Sequence, residues 1–545
     1  MANITVSRPR YPGMFGGLGF QNNEAILYPT IEKEHFDQVL CKCYREISPG
    51  FCRTFAGYDN WSQYSMDAFA DYYERMQKVT DTPMYLAAAK GALHFSDEEM
   101  WQYCKDIAKN LAYLINEKGM KHIRYYCFSN EMSQCGWGDL MDDLPLFGKY
   151  HQMLYRAFQN EKLNIGLLAT DASEFSNWNT IDWCLDNINR ITEDYCLHIY
   201  EREHDIYNLD YFDFFYDKCK EVVDKVSCRD GKRFIVGEYR IQKGAGQLRY
   251  RKGLVIDVNR YFEDDFERRY CALMLTEMTF AAINAGVYAM ALWSYTDYPD
   301  PFSCAYSNDG GYAEGWSKVE KYISGTTDVK YNKFGLFKWE DNGDHSAKEP
   351  YYCLGLVYKY FKNHSKVLDI ACEDKLLRIA SVQNRDGSVT VGVVNRHKEP
   401  TKVSLRIDTE TIDKPFRVYE YDPYHVVTNR FADLPDAVTE IELKNGVLEV
   451  TLKPESVTIF TNDYLIKTTS VEAENVGIVD GVISWEHVSD ENHCYYRVYA
   501  SDTPNFVPSK DNQIASTVAE TLTMEGGADE SQFYRVLSVD KSGNV

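Results

Sequence analysis

From the N-terminus to about residue 345, short apolar runs alternate with longer stretches whose apolar residues return at helical spacing. The short runs fall at 14–20, 51–55, 83–88, 123–128, 165–169, 195–200, 234–236 and 287–293. They are rich in β-branched and aromatic residues, which suit a buried pleated surface. Between them, residues 33–47, 65–79, 97–118, 146–159, 178–191, 209–226 and 264–285 read as helices. Ser96-Asp-Glu-Glu99 forms a capping box that opens the third of these. Eight strands with helices between them over such a length predict a (β/α)8 TIM barrel. A doubly wound sheet competes with it, but that fold wants a glycine-rich turn leading into a helix. The one candidate, Gly16-Gly-Leu-Gly19, runs on into Phe-Gln-Asn-Asn.

After the last run the texture changes twice. Residues 296–344 form a long polar segment with several Trp and Tyr, of a length usually given to lids or to short elements of their own. A helix is expected over about 350–361, and from 366 to 462 short strands alternate with the turn signals Arg385-Asp-Gly387, Lys398-Glu-Pro400 and Lys444-Asn-Gly446. This predicts an antiparallel β-sandwich. A second small all-β unit follows from about 468, its clearest strands at 482–485, 495–500 and 533–539. The expected organisation is a barrel over 1–349, a sandwich packed on it over 350–465, and a small all-β domain over 466–545.

Composition narrows the function. A net charge of -23 argues against nucleic acid and anionic membrane surfaces as partners, since both are bound through clustered Lys and Arg. With no apolar run of the roughly 18 residues a spanning helix needs, no membrane segment is expected. The 15 cysteines are irregularly spaced, so buried reduced thiols are expected rather than a disulfide framework. The opening Met-Ala-Asn-Ile-Thr carries no basic and apolar leader, which as written predicts a cytoplasmic protein, or a secreted one if the N-terminus was trimmed. The 42 Tyr, 27 Phe and 9 Trp are abundant enough to serve a sugar site as well as a core, because aromatic faces pack against sugar rings.

The candidate chemistry lies where two strands run out. The fourth, His122-Ile-Arg-Tyr-Tyr-Cys-Phe-Ser, ends in Asn130-Glu131, and the seventh, Arg233-Phe-Ile-Val-Gly, ends in Glu238. Acids at the ends of barrel strands sit at the rim where such folds keep their active sites, and strands four and seven approach from opposite sides of the axis. Two facing carboxylates can divide glycoside hydrolysis, one protonated to assist the leaving group and the other ionised.

On these residues the sequence resembles the clan A glycoside hydrolases, (β/α)8 barrels with an Asn-Glu acid/base after strand four and a glutamate nucleophile after strand seven. The resemblance spans roughly residues 10–345. It implies a retaining hydrolase of β-glycosidic or α-L-arabinofuranosidic bonds, acting on an oligosaccharide or glycoside, with Glu131 as acid/base and Glu238 as nucleophile. It further implies that Arg53 lies near the nucleophile, that Asn130 binds a sugar 2-hydroxyl, that His198 and Tyr200 support the carboxylate, and that Trp293 floors the sugar site. Tyr239, Trp61, Asn23 and Trp316 are weaker candidates for subsite contacts. The rest of the chain looks like the β-domain that several such families carry, followed by a fibronectin type III-like module with Trp485 and Tyr495 as candidate core aromatics. No metal or organic cofactor is needed for this chemistry, and the spacing of His198 and His204 matches no established metal site. The competing expectation is a carbohydrate-binding or scaffolding protein on an inactive barrel.

Overall fold

The computed structural model of the chain describes residues 1–8, 13–28, 31–56, 63–77, 82–88, 95–132, 139–202, 208–242, 265–299, 331–339, 345–466, 471–524 and 526–545. Two short strands, β1 (Ala2–Ser7) and β2 (Met14–Phe15), come before the barrel. The barrel strands follow as β3 (Gly17–Gln21), β4 (Phe51–Phe55), β5 (Met84–Ala87), β6 (Ile123–Cys127), β7 (Gly166–Ser173), β8 (Asp194–Arg202), β9 (Phe234–Gln242) and β10 (Ala289–Leu292). They close into one barrel in sequence order, with β10 pairing back onto β3. Every pair is parallel. Closure excludes the doubly wound alternative, which leaves an open sheet with two edges.

The helices expected between the strands form. Asp97–Ala112 starts with Ser96 and Glu99 exchanging hydrogen bonds, Glu99 N–H to Ser96 Oγ at 3.3 Å and Ser96 N–H to Glu99 Oε2 at 2.7 Å. Helix Asp265–Ala285 packs the last barrel strands, and its Phe280 ring lies where a Cβ on Gly392 would be, 2.2 Å away. That glycine lets the sandwich sheet approach the barrel helix closely. Among the described residues no helix is long and apolar enough to cross a membrane. The described cysteines are free, and most are buried.

The sandwich stacks a seven-stranded sheet on a four-stranded one. The chain's first residues belong to it: β1 lies between Asp369–Cys372 and Thr401–Asp408, antiparallel to the first and parallel to the second. Ile4 and Val6 thereby enter the sandwich core beside Leu405 and Phe460. β2 edges the seven-stranded sheet through Ser365–Val367. The chain thus visits the sandwich before it enters the barrel.

The last unit has two three-stranded sheets, one of Gly477–Val479, Val482–Ser484 and Thr521–Thr523, the other of Gln513–Thr517, His493–Ser501 and Phe533–Asp540. Its core aromatics are Trp485 and Tyr496, 5.4 Å apart, and not Tyr495. Neighbouring residues on a strand face opposite ways, so Tyr495 turns to the barrel, where the Lys42 ammonium sits 4.7 Å from its ring centroid. Lys42, on helix Cys41–Ile47, is wholly buried between Glu46 at 2.9 Å and Asp433 at 2.5 Å, and Arg497 reaches Asp433 at 3.1 Å. One buried charge network therefore ties barrel, sandwich and last unit together.

Candidate active site

β6 ends at Cys127, and Phe128-Ser-Asn carry the chain to the barrel mouth. Ser129 anchors this turn by donating to the Thr170 carbonyl at 3.2 Å. Glu131 then adopts φ +45°, a left-handed conformation that a side chain enters only under constraint. Its side chain keeps 13% exposure, whereas that of Glu238 keeps 3%.

Two irregularities in the barrel register aim the other acids. Between β7 and β8, Thr170 pairs with Cys196 and Ala172 with Leu197, so Asp171 is an extra residue, and it takes φ +54°. Between β8 and β9, Leu197 pairs with Val236 and His198 with Glu238, so Gly237 is extra. Each bulge inserts one residue and re-aims its neighbours. A Cβ at Gly237 would stand 2.4 Å from Cys196 Sγ and 3.0 Å from His198 Nε2. Only glycine fits beside Glu238 in this arrangement.

Arg53 of β4 is the hub. It is fully buried, and one guanidinium nitrogen donates to Glu238 Oε1 at 2.5 Å and to Gln21 Oε1 at 2.8 Å. The other donates to Asn130 Oδ1 at 2.7 Å and to Asp171 Oδ2 at 2.9 Å. The planar fork suits it to bridge partners in this way, and it also stacks between the Phe55 and Tyr85 rings. The Tyr200 hydroxyl donates to Glu238 Oε2, so both oxygens of that carboxylate receive a hydrogen bond. His198 lies between the acids, with Nε2 3.3 Å from Asp171 Oδ2, and Nδ1 3.6 Å from Glu131 Oε1 and 3.7 Å from Glu238 Oε2. One carboxylate oxygen of Glu131, one of Glu238 and a His198 ring nitrogen all lie within 4.8 Å of one another.

The electrostatics follow from burial in a crowded charge cluster. Burial raises the Glu238 carboxyl above its ordinary value, with His198 and Arg53 pulling against it. Burial would also raise Asp171, but His198 and Arg53 outweigh it and hold that carboxyl well below the usual carboxylate range. For His198 burial favours the neutral ring, yet Glu238 and Asp171 prevail and lift it to about 9, so the imidazole is cationic at neutral pH. The Tyr200 hydroxyl is pushed far up by burial and by the charges of Glu238 and Glu131, which keeps it a donor.

The structure thus brings Arg53, Asn130, Glu131, His198, Tyr200 and Glu238 into one cluster. Trp293 stands at the same end of the barrel, partly exposed, its ring 6.0 Å from that of Phe55 and its Nε1–H donating to the Tyr298 hydroxyl at 3.1 Å. Of the weaker candidates, Tyr239 points away from the mouth, its hydroxyl between those of Thr279 and Tyr358. Asn23 is buried and accepts from Gln21 Nε2 at 3.0 Å. Trp61, Trp316 and His204 lie outside the described residues. Sequence reasoning did not single out Asp171 or Gln21. Asp171 closes the fifth apolar run much as Glu131 closes the fourth, and that polar ending was its only signal.

The same groups contain two sets with metal-ligating side chains, Asp171-Cys196-His198 and Glu131-His198-Glu238. Both share His198, and Arg53 already places its positive charge on a carboxylate of each. A divalent cation would have to share these acids with a buried guanidinium, so the donor sets fit a metal poorly.

No family model matches the sequence, and no curated protein matches it. The fold, however, is shared with solved glycoside hydrolases. It is similar to the glycoside hydrolase family 30 subfamily 8 xylanase Xyn30A from Clostridium acetobutylicum, at 12% identity and TM-score 0.54 over 84% of this chain and 99% of that one. It is similar also to the α-L-arabinofuranosidase from Thermotoga maritima, at 14% identity and TM-score 0.55 over 85% and 99%. The family 51 arabinofuranosidase from Xanthomonas axonopodis pv. citri is a third, at 12% identity and TM-score 0.56 over 85% and 100%. The chain thus shares the fold of these solved glycoside hydrolases.

Proposed function

We propose that this chain is a retaining glycoside hydrolase that cleaves β-glycosidic or α-L-arabinofuranosidic bonds by double displacement. The observation that carries the reading is the approach of the Glu131 and Glu238 carboxylates to within 4.8 Å at the barrel mouth. Retaining enzymes place the pair about 5–5.5 Å apart, whereas inverting ones leave about 6.5–9.5 Å for a water. Glu131, the more exposed acid, protonates the glycosidic oxygen. Glu238 attacks the anomeric carbon, and water activated by Glu131 then hydrolyses the glycosyl ester.

The charge cluster supports this assignment. Two cations, Arg53 and His198, face three carboxyl groups, Asp171, Glu131 and Glu238. A single proton on the glutamate pair neutralises the cluster, which is the state in which one acid can donate and the other attack. Arg53 and Tyr200 both donate to Glu238 and, with His198, oppose the rise that burial imposes on its carboxyl, which supports the nucleophile's role for Glu238 and the acid's for Glu131. In this reading Asn130, whose Oδ1 accepts from Arg53, hydrogen-bonds a sugar hydroxyl beside the attacked carbon, and Trp293 serves as an apolar floor.

The structures sharing the fold are named xylanases and arabinofuranosidases, which directs the first assay to aryl β-xylosides and aryl α-L-arabinofuranosides. NMR of the first-formed sugar is expected to show retained configuration, and inversion would refute the covalent route. A 2-fluoro glycosyl fluoride of the active sugar is expected to label the peptide containing Glu238. Tight sugar binding with neither turnover nor labelling would favour the binding-protein reading instead.

A further inference from the structure

A cavity of about 300 Å³ opens where barrel, sandwich and last unit meet, and none of the residues of the barrel-mouth cluster lines it. Its walls come from the end of helix Tyr351–Tyr360, from sandwich strand Phe416–Tyr421 and from the last unit. Lys359 lines it and is only 6% exposed. No hydrogen bond or ion pair reaches its ammonium among the described residues, and the nearest aromatic face is that of its neighbour Tyr360, at 5.8 Å. A buried charge left in that state is costly unless something pairs with it.

The acids around the cavity are engaged elsewhere. Glu46 is held by Lys42 at 2.9 Å, Glu440 by Arg417 at 3.0 Å and Asp436 by Lys510 at 2.6 Å. Asp433, just behind the wall, takes Lys42 and Arg497. Asp540 accepts from the backbone of Ser542 and Asn544. The donors, by contrast, have capacity left. The Tyr419 hydroxyl accepts from Tyr360 at 2.7 Å, which leaves its own proton to give, and the Ser542 hydroxyl accepts from the Leu465 N–H at 2.7 Å with the same result. Arg417 is held flat, its guanidinium carbon 3.9 Å from the Tyr464 ring centroid, with one nitrogen on Asn544 Oδ1 at 3.4 Å. Burial lowers Lys359 from its ordinary value, with Glu46 opposing, as expected of an ammonium that lacks a close counter-ion.

We propose that this junction is a binding site for a small hydroxylated monocarboxylate of about hexuronate size, with its carboxylate on Lys359 and Arg417 and its hydroxyls on Tyr419 and Ser542. The volume is at the small-ligand end of the roughly 300–1,000 Å³ range of such pockets. One negative charge matches one unpaired ammonium. A phosphate dianion would meet Glu46, Asp436 and Glu440 in the same walls. A ligand there touches all three domains and holds them together.

The test is isothermal titration calorimetry of sodium D-glucuronate into the full chain, with glucose and inorganic phosphate as controls. One site is expected for glucuronate and none for glucose, with phosphate weaker. Lys359→Met is expected to lose about tenfold or more in affinity, the worth of a charged hydrogen bond. Its glycosidase turnover should be unchanged, which separates this site from the barrel mouth. Arg417→Gln provides a second reading should the first variant fold poorly. No binding by glucuronate, equal binding by both variants, or preference for phosphate or glucose would each overturn the proposal.

Discussion

Replacing Arg53 by Met removes one side chain and leaves four acceptors without their donor: Glu238, Asp171, Asn130 and Gln21. Two of these are buried carboxylates. Breaking one buried ion pair from one side costs about 3–5 kcal/mol, because the partner charge stays in the protein without compensation. With His198 still present to serve Asp171 and Glu238, the lower end of that range applies, which for a barrel of about 350 residues lowers Tm by about 4 °C. Turnover falls further than stability. Glu238 keeps His198 but loses the second charge that opposes its burial, so its carboxyl moves further up. A drop of at least about 100-fold in kcat/KM at pH 7 is expected, of the size found on removing one electrostatic donor from an active site. Arg53→Lys retains a charge but not the fork, and is expected to recover stability more than activity. Differential scanning calorimetry and an aryl glycoside assay over pH 5–9 read both effects. An Arg53→Met protein with wild-type Tm and wild-type kcat/KM would refute the hub assignment.

The other expectations concern neighbouring groups. Tyr200→Phe removes a hydrogen bond that lowers Glu238, so the acidic limb of the kcat/KM profile moves to higher pH; an unmoved limb would dissociate Tyr200 from the nucleophile. His198 stands at about 9 when folded against roughly 6.5 when unfolded, so its contribution to stability is full below about pH 6.5 and is lost as pH rises through 9. Denaturant midpoints between those pH values are expected to fall in the parent and to flatten in His198→Gln, and parallel slopes would sink the assignment. Gly237→Ala must push Cys196 and His198 aside at an overpacking cost of about 1–3 kcal/mol. Because Glu238 is the next residue, activity should fall at least tenfold in a variant that still folds, and an active Ala variant would show the bulge to be dispensable.

What was legible in the sequence is what depends on local pattern. The eight apolar runs became the eight barrel strands, and the acids at the ends of the fourth and seventh came to face each other. Register was not legible. Asp171 is aimed at Arg53 because β7 carries one residue more than β8 at that point, a mismatch between two strands that neither run reveals alone. The choice of Tyr495 over Tyr496 failed for a related reason, since a one-residue shift in a strand exchanges its two faces. The pairing of β1 with strands some 370 to 400 positions away joins segments with no common local signal.

These two kinds of information have different work in the site. Apolar alternation builds a barrel whose strand ends converge, and convergence alone leaves the acids without a fixed charge state. The bulges at Asp171 and Gly237 bring in a third carboxylate and seat Glu238 against His198, and Arg53 then spans the group from the opposite wall. Remove the Asp171 carboxylate and Arg53 would serve no acid but Glu238, beside the neutral Asn130 and Gln21, holding it ionised more firmly and, on the proposed mechanism, making it a poorer nucleophile. In the proposed mechanism, Asp171 divides the guanidinium between two acids and so keeps Glu238 from being over-stabilised in its ionised form. On this argument Asp171→Asn should tighten the Arg53–Glu238 pair, extend the acidic limb of activity to lower pH and reduce kcat. An acidic limb that stays in place or moves up would show that Asp171 acts on His198 alone.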